Sequence, residues 1–398
     1  MKPSSSPLTS VPEAQARLFA LASPVAAETV PIRAAAGRWA AADVIALRTQ
    51  PANDLSAMDG YAIRFADLPG PFKLIGESAA GRPLSGLVGS GETVRIFTGA
   101  ALPDGADTVL VQEEAERRDD QVALSGEGPG HRGRNVRRKG LDFSRGDFLV
   151  GRGERLTAAR IAVAATGGHG ALPVNRLVRV AIVATGDELV APGSAMTDSV
   201  LPESNGAMLA AMLADLPVEV IDLGILPDRL DATTAAFAQV DADILVTTGG
   251  ASVGDHDLVR PALEAAGGSM DFWRIALRPG KPMMAGRLNG AAVLGLPGNP
   301  VSAFVTAFLF LRPLIATMAG ALDPSPRTAS AILGQDLAAN DHRQDYLRAV
   351  TRDGRVFPAD LQDSSMLLTL ARADCLIVRP PHAPAVIAGE PVEIVPIA

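Results

Sequence analysis

The sequence is short of cysteine, histidine and aromatic residues. Among its 398 residues there are one cysteine and five histidines, and aromatic residues make up 4%. The single cysteine, Cys375, excludes an internal disulfide framework and indicates a reducing compartment. We interpret Cys375, in the apolar run DCLIV, as a small buried hydrophobic residue.

Positive charge and long apolar runs are also scarce. The net charge of −8 predicts no broad basic face, so we expect no nucleic-acid partner. The longest apolar stretch, residues 301–320, is broken at Arg312 and Pro313, short of a membrane span, which favours a buried helix. The chain opens with Lys2, serines and prolines rather than an apolar leader. We therefore expect a cytoplasmic protein that does not contact a membrane.

The pattern along the chain predicts an α/β multidomain fold, since this length corresponds to about 2–3 domains. Short strands between Gly, Pro and Asp clusters indicate a β-rich unit at 46–146, inserted into a helical or linking domain made of 1–45 and 147–177. Within that domain, residues 29–46 look like a helix followed by a strand. Strands alternate with helices at 178–326, which predicts a parallel-rich sheet, and 327–398 suggests a small β domain.

Two glycine turns follow strands of the predicted sheet, where ligands usually bind. In VAIVATGDELV, Gly186 lets a ligand approach the backbone after Thr185. Glu188 could bind a metal or a hydroxyl group, or Asp187 could simply cap a helix or a turn, and the motif alone does not separate the two.

The second glycine turn, TTGGASVGDHD at 247–257, favours an anion held by backbone N–H groups. Asp255 and Asp257 could be caps, but carboxylates beside an anion make chemical sense when Mg²⁺ lies between them. The residues proposed to form the cradle are Gly249, Gly250, Ser252 and Gly254.

Positive charge for such an anion is available in two places, the turn LRPGKP and the run RNVRRKG. Arg278 and Lys281 flank the rigid turn LRPGKP. A similar rigid turn without cations, GLPGNP, contains Pro297, Gly298, Asn299 and Pro300. Both turns could also be plain hairpin loops. The run RNVRRKG at 134–140 lies before Asp142 and could be an anion site or a solvated face, while Asp59 before a glycine is a turn by default.

Together these motifs closely resemble those of the molybdopterin molybdenumtransferases. The resemblance rests on SAMDGYA, TGAALPDGADTV, NVRRKGLD, TGDEL, TGGASVGDHD, RPGKP, GLPGNPVSA, DYLR and AGEPVEI, in this order along nearly the whole chain. It implies the same domain plan: a helical domain with an inserted β unit, a pterin-binding α/β domain and a C-terminal β domain. It also implies molybdate insertion into adenylylated molybdopterin, with AMP release, Mg²⁺ dependence and no protein nucleophile.

The resemblance assigns roles to individual residues. It implies a metal site made by Asp59, Glu188 and Asp257, and chemistry supported by Thr98, Asp142 and Lys281. The residues implied to bind the pterin substrate and molybdate are Thr185, Gly186, Asp228, Gly249, Gly250, Ser252, Gly254, Arg278, Pro297, Gly298, Asn299, Pro300, Arg137, Arg348 and Ser364.

The resemblance also predicts the assembly and its partners. We expect a homodimer in which the inserted unit of one subunit completes the site of the other. Other expected partners are the molybdopterin adenylyltransferase and enzymes that accept the cofactor. Three rival functions are weaker: an adenylyltransferase lacks SAMDGYA and the outer domains, a pure scaffold would not need these carboxylates, and a P-loop nucleotide binder needs GxxxxGK[ST], which is missing.

Overall fold

The computed structural model describes residues 8–195, 197–249 and 258–397, and for residues 271–273 it describes only the backbone. The N-terminal part begins with a helix whose first turn is capped by Ser10, since the Ser10 hydroxyl accepts a hydrogen bond from the Glu13 amide at 3.4 Å. The elements before the inserted unit are α1 (Val11–Phe19), β1 (Ala27–Pro31), a 3₁₀ turn (Ile32–Ala35) and β2 (Val44–Ile45).

The inserted unit consists of short strands, because turn residues interrupt every apolar run. Its strands are β3 (Leu55–Ser56), β4 (Gly60–Ile63), β5 (Phe72–Ser78), β6 (Glu92–Ile96), β7 (Thr108–Val111), β8 (Ala115–Arg118), β9 (Gln121–Leu124) and β10 (Val136–Arg137). Six of them form one sheet in the order β7-β4-β6-β5-β9-β8, while β10 pairs with β3. Two small clusters around Val94 and Phe72 form its core.

The chain then returns to the N-terminal part with β11 (Phe148–Val150), α2 (Ala158–Thr166) and β12 (Ala171–Asn175). β11 pairs antiparallel with β2, and β12 pairs antiparallel with β1. The strands on either side of the inserted unit are therefore direct neighbours.

Two sequence expectations for this part need correction. The stretch 29–46 was expected to run from helix to strand, but β1 comes first and a single 3₁₀ turn follows, because Pro31 and Gly37 leave too short a segment for an α-helix. α1 does not pack within a helical domain: Val11, Ala14 and Leu18 belong to the core of the α/β domain. The predicted domain boundaries themselves stay predictions.

Residues 178–318 form the α/β domain. Its elements are β13 (Val178–Thr185), β14 (Leu189–Val190), β15 (Leu201–Pro202), α3 (Asn205–Leu213), β16 (Val218–Leu226), α4 (Leu230–Ala238), β17 (Ile244–Thr248), α5 (Val259–Ala265), β18 (Ser269–Arg274), β19 (Leu277–Arg278), β20 (Pro282–Leu288), β21 (Ala291–Leu296), α6 (Pro300–Thr306), a π-helical turn (Ala307–Leu311) and α7 (Arg312–Met318).

The central sheet has the strand order β16-β13-β17-β21-β20-β18. β16, β13, β17 and β21 are mutually parallel, and β20 is antiparallel to both of its neighbours. Alternate residues of each strand face opposite sides: Ile182 and Val246 pack with α1 and α7, whereas Val183 and Leu245 pack with Phe237 of α4 and with α5. The prediction of a parallel-rich sheet is confirmed, and helices cover both of its faces.

The apolar segment Pro300–Met318 is one helix of 19 residues that is long and apolar enough to cross a membrane, but 78% of its most apolar window is buried inside the protein. Such burial agrees with the predicted buried helix. Pro313 does not end it: Pro313 follows the π-helical turn and lies in the first turn of α7, where a missing N–H is tolerated.

The C-terminal domain is a small β structure. Its elements are β22 (Ala329–Leu333), β23 (Gln344–Arg352), β24 (Arg355–Pro358), α8 (Leu367–Ala371), β25 (Cys375–Arg379) and β26 (Pro391–Pro396). The order β23-β24-β22-β26-β25 closes on itself because β25 also pairs with β23. β19 of the α/β domain adds to β23 in parallel and so joins the two domains. Cys375 is buried, as predicted.

Candidate functional site

The main candidate site is a cleft of about 790 Å³ at the carboxyl ends of β13, β17 and β21. The chain runs from β13 to β16 on one side and returns to β17 on the other, so the cleft lies at a switch point of the sheet. It is lined by Thr185, Gly186, Glu188, Leu189, Leu201, Pro202, Glu203, Ser204, Asn205, Asp228, Thr233, Thr248, Gly249, Leu258, Val259, Pro282, Pro297, Gly298, Asn299, Pro300 and Ser365.

Gly249 shows why this turn needs glycine. Its φ is +88°, and a Cβ placed on it would lie 2.9 Å from the carbonyl oxygen of Thr185. The turns after β17 and β21 are also close together, since a Cβ on Gly298 would be 3.7 Å from the Gly249 Cα. The backbone turns after β13, β17 and β21 thus converge on the cleft.

Asn205 lines the cleft and carries a buried acceptor oxygen. Its side-chain nitrogen donates to the carbonyl oxygen of Gly298 at 2.8 Å, which fixes the orientation of the amide. The residue is 8% exposed, and its Oδ1 finds no hydrogen-bond partner among the described residues. A buried acceptor of this kind is costly unless a ligand supplies a donor.

Two acidic loops meet at the rim of the cleft. The Asp187 amide donates to Asp228 Oδ2 at 3.3 Å, and the Asp228 amide donates to Asp187 Oδ1 at 3.0 Å. This reciprocal pair explains why Asp228 lines the cleft and shows that Asp187 joins two loops rather than capping a helix. Glu188, next to it, is exposed at the cleft.

The predicted cations behave differently from one another. Lys281 precedes Pro282, which lines the cleft, and is partly exposed. Arg278 instead turns to the C-terminal domain, where it donates to both carboxylate oxygens of Asp345, with its Nε at 2.8 Å from Oδ1. It also donates to Asn340 Oδ1 at 3.2 Å. The structure therefore directs this charge to a carboxylate and not to the cleft.

Arg348 and Ser364 belong to the C-terminal domain and do not line the cleft directly. Arg348 is 1% exposed, and burial lowers the pKa of its guanidinium. The Ser364 hydroxyl accepts a hydrogen bond from Asn299 Nδ2 at 3.1 Å, and the Ser364 carbonyl accepts one from the Val301 amide at 3.2 Å. Ser364 therefore reaches the cleft through Asn299, while its neighbour Ser365 lines it.

Asp59 and Thr98 form a separate cluster on the inserted unit. Asp59 Oδ1 accepts hydrogen bonds from the Thr98 amide at 2.7 Å and from its hydroxyl at 2.8 Å. These two bonds, the amide first, together with Arg95 nearby, lower the pKa of the Asp59 carboxyl below its usual value. Thr98 is exposed and Asp59 is partly exposed, and among the described residues none from 46–146 lines the cleft.

The SAMDGYA, TGAA and NVRRKG motifs meet on this same surface. The Gly99 amide donates to the Ser56 carbonyl at 2.9 Å, and the Ala57 amide donates to the Asn135 carbonyl at 2.8 Å. Arg137, on β10, is paired with Leu55 on β3 and is exposed. The Asp142 amide donates to the Gln50 carbonyl at 3.1 Å, and Asp142 is also exposed.

Four of the predicted site residues, Gly250, Ser252, Gly254 and Asp257, lie outside the described residues. Within the described ranges, no group of three or more His, Cys, Asp and Glu residues is placed to hold a metal ion. The oxygen donors that are present suit Mg²⁺, which normally keeps several waters and shares phosphate oxygens. Glu188 at the cleft and Asp59 on the inserted unit are donors of this kind, but they do not meet in the described part of one chain.

Asn205, Glu203, Ser365 and Gln362 were not predicted as site residues. The segment PESN contained a signal, since Ser204 is a residue type favoured at the N-cap and lies directly before the first residue of α3. LQDSSML carried no comparable pattern, because its role depends on contacts with a distant strand.

Comparison with known proteins gives a family assignment for the whole chain. Three family models match in succession: the MoeA N-terminal region (domain I and II) at residues 9–168, a probable molybdopterin binding domain at 181–317, and the MoeA C-terminal region (domain IV) at 330–397. Among solved structures, the molybdopterin biosynthesis MoeA protein of Pyrococcus horikoshii superposes with a TM-score of 0.83 at 26% identity, covering 98% of this chain and 100% of that one.

Curated relatives agree along nearly the full length. A molybdopterin molybdenumtransferase of Haemophilus influenzae is 37% identical, with 94% of both chains covered. Molybdopterin molybdenumtransferase 2 of Mycobacterium tuberculosis is 32% identical, covering 92% of this chain and 94% of that protein. The chain therefore belongs to the molybdopterin molybdenumtransferase family, and it is a transferase that inserts molybdenum into molybdopterin during synthesis of the molybdenum cofactor.

Proposed function

We propose that the substrate is adenylylated molybdopterin, that molybdate supplies the metal, and that AMP is released in a Mg²⁺-dependent reaction. The observation that carries this proposal is the cleft itself. Gly249 and Gly298 bring bare backbone together at the strand ends, which suits a phosphate chain. Asn205 Oδ1 offers an acceptor to an N–H group of a heterocycle.

Lys281 is the cation best placed to attract the phosphates, because Arg278 is already paired with Asp345. A flexible ammonium group can follow a phosphate chain as a point charge. Thr98, Arg137 and the neighbouring cations of 134–139 are the proposed donors to molybdate, an oxyanion, with Asp142 at the edge of the same surface.

Asp59, Glu188 and Asp257 are the proposed residues that hold Mg²⁺. Thr98 occupies Oδ1 of Asp59 and favours its ionised form, so the charged carboxylate is available for a cation. A bound Mg²⁺ supplies charge neutralisation at the phosphoanhydride.

The chemistry balances without a protein nucleophile. An oxygen of molybdate forms a bond to the adenylyl phosphorus while the anhydride bond breaks, so AMP leaves with that oxygen. The bond between molybdenum and that oxygen breaks as AMP departs, and the pterin keeps its own phosphate. Its two thiolate sulfurs then bond to molybdenum, one in the vacated position and one as an added ligand, with no change in the oxidation state of the metal. The protein's part is to hold both anions in place and to stabilise developing negative charge.

We further propose a homodimer with shared sites. Asp59 and Thr98 lie on the inserted unit, whereas Glu188 and Gly249 lie in the cleft of the α/β domain, and in the described part of one chain these sets do not meet. A two-fold assembly would bring each inserted unit to the cleft of the other subunit. A cytoplasmic location, with the adenylyltransferase and cofactor-accepting enzymes as further partners, completes the proposal.

The deciding experiment measures AMP release by the purified protein. With molybdopterin-AMP, molybdate and Mg²⁺ together we expect release, and leaving out either molybdate or Mg²⁺ should abolish it. ATP in place of the adduct should give no AMP. Release that ignores molybdate would overturn the proposed reaction, while the family assignment would stand.

A further inference from the structure

Arg348 is a buried cation that is satisfied almost entirely by one loop. Its side-chain Nη1 donates to the Asp363 carbonyl at 2.7 Å, and Nη2 donates to the Leu361 carbonyl at 3.4 Å. At 1% exposure the guanidinium cannot rely on water, so these contacts hold the loop 359–364 against β23.

The side chain of Gln362, which belongs to this loop, stabilises the arrangement with further hydrogen bonds. Its Oε1 accepts hydrogen bonds from the Arg348 amide at 3.0 Å and from Arg348 Nε at 3.2 Å. Its Nε2 donates to the carbonyls of Arg348 and Ala359, both at 3.0 Å. The side-chain amide thus pairs with the Arg348 backbone as a neighbouring strand would, and it continues the ladder that ends at Pro358 on β24.

The loop 359–364 and the two serines at its end contact residues at the cleft. Ser364 bonds to Asn299 and to the Val301 amide at the start of α6, and Asp363 Oδ1 accepts from the amide of Ser365 at 2.9 Å and from its hydroxyl at 2.6 Å. Asn299 and Ser365 both line the cleft. One continuous set of hydrogen bonds therefore links β23 of the C-terminal domain to the turn after β21.

We propose that Gln362 is a positioning residue of the cleft: by fixing Arg348 and the loop 359–364 it holds Ser364 on Asn299 and Val301, and so sets the shape of the substrate site. Gln362 itself touches no substrate in this proposal. Its kinetic consequence rests on the transferase activity, whereas its structural consequence does not.

The structural test is hydrogen exchange at the Val301 amide. In Gln362→Leu we expect exchange at Val301 to speed up about tenfold, because Ser364 no longer holds its position. Thr351→Val is the matched control, since Thr351 lies on the same strand but bonds to Asp374. Unchanged Val301 exchange in a folded Gln362→Leu protein would overturn the proposal. Should Gln362→Leu not fold, Gln362→Glu, which keeps the acceptor but loses both donated bonds, answers the same question.

The kinetic test separates positioning from general weakening. We expect Gln362→Leu to raise KM for molybdopterin-AMP about tenfold and to leave kcat within about twofold. In the Gln362→Leu/Ser364→Ala double variant, KM should rise no further than in the more affected single variant. Additive effects, or a fall in kcat alone, would contradict action through Ser364. A parent protein without turnover would refute the proposed function and leave the exchange result to decide the role of Gln362.

Discussion

Thr98 holds Asp59 through two hydrogen bonds to the same carboxylate oxygen, one from its backbone amide at 2.7 Å and one from its hydroxyl at 2.8 Å. Both bonds favour the ionised carboxylate, and they lower the pKa of Asp59. Asp59, a proposed metal ligand, is thus favoured in its ionised form before any cation binds.

Removing the hydroxyl should therefore move the titration of Asp59. In Thr98→Val the amide bond remains, so we expect the pKa of Asp59 to rise but to stay below its usual value. A group with a lowered pKa contributes its stabilisation above the usual value and loses it as the pH falls through the lowered one. NMR titration of the carboxyl carbon measures the shift directly. The acid limb of activity should move to higher pH, and an unmoved titration curve would refute the assignment.

Gly249 should be intolerant of a side chain for a reason that Gly290 does not share. Both have positive φ, +88° and +90°, but a Cβ on Gly290 meets nothing within 4 Å, while on Gly249 it meets the Thr185 carbonyl. We expect each alanine variant to lose about 1 kcal/mol from backbone strain. Gly249→Ala alone should also lose about two orders of magnitude in activity, because the backbone of the cleft must shift. Equal activities in the two variants would show that this turn does not shape the site.

The Arg278–Asp345 pair should stabilise the contact between the α/β and C-terminal domains. Asp345 is 6% exposed at its side chain and Arg278 44%, so Arg278→Ala leaves a buried carboxylate without its partner. We expect a loss of about 2 kcal/mol in unfolding free energy, reduced from the fully buried case by solvent at Arg278. Denaturant unfolding measures it, with Arg278→Lys as the charge-keeping control. Unchanged stability with lost activity would instead restore Arg278 as a phosphate ligand.

Asn205 should contribute to substrate binding through its Oδ1, which has no hydrogen-bond partner among the described residues. Asn205→Leu removes that acceptor, and we expect KM to rise about 10- to 100-fold, as for a lost bond to a buried donor. Thr234→Val is the control, because Thr234 also has a buried oxygen without a partner among the described residues but does not line the cleft. The control should keep its KM. A similar KM for Asn205→Leu and the parent would mean that the ligand does not use Oδ1.

Shared sites predict that two inactive variants can restore each other. Asp59→Ala damages the inserted unit and Glu188→Ala damages the cleft, so a mixed dimer contains one intact site and one doubly damaged site. Random mixing makes half the dimers mixed, and about a quarter of all sites should then be intact. Co-expression followed by activity measurement tests this expectation. Mixed dimers confirmed by mass but without activity would place both residues in one chain's site.

The sequence predicted the features that depend on local chemistry. Gly186 and Gly249 follow strands of a recognisable α/β alternation, and a positive φ after a buried strand leaves glycine as the natural choice. Cys375 was correctly placed in the interior from its apolar neighbours.

The features it did not predict depend on distant partners. Arg278 and Asp345 are 67 residues apart, and the spacing of a turn does not say which carboxylate in another domain will meet it. The resemblance implies that Arg348 in DYLR binds the substrate, but the loop around Gln362 buries it. α1 has an ordinary amphipathic pattern, which indicates a helix with one buried face but not the domain against which that face packs.

The inserted unit leaves and rejoins the chain at one hairpin. The Ala46 amide donates to the Asp147 carbonyl and the Gly146 amide donates to the Ala46 carbonyl, both at 2.8 Å, beside the pairing of β2 with β11. The host structure closes on itself at this point, so we expect that a short turn in place of the inserted unit would not move the strands that support the cleft. We therefore expect a protein without the unit to fold and to retain the cleft but to lack the surface of Asp59 and Thr98.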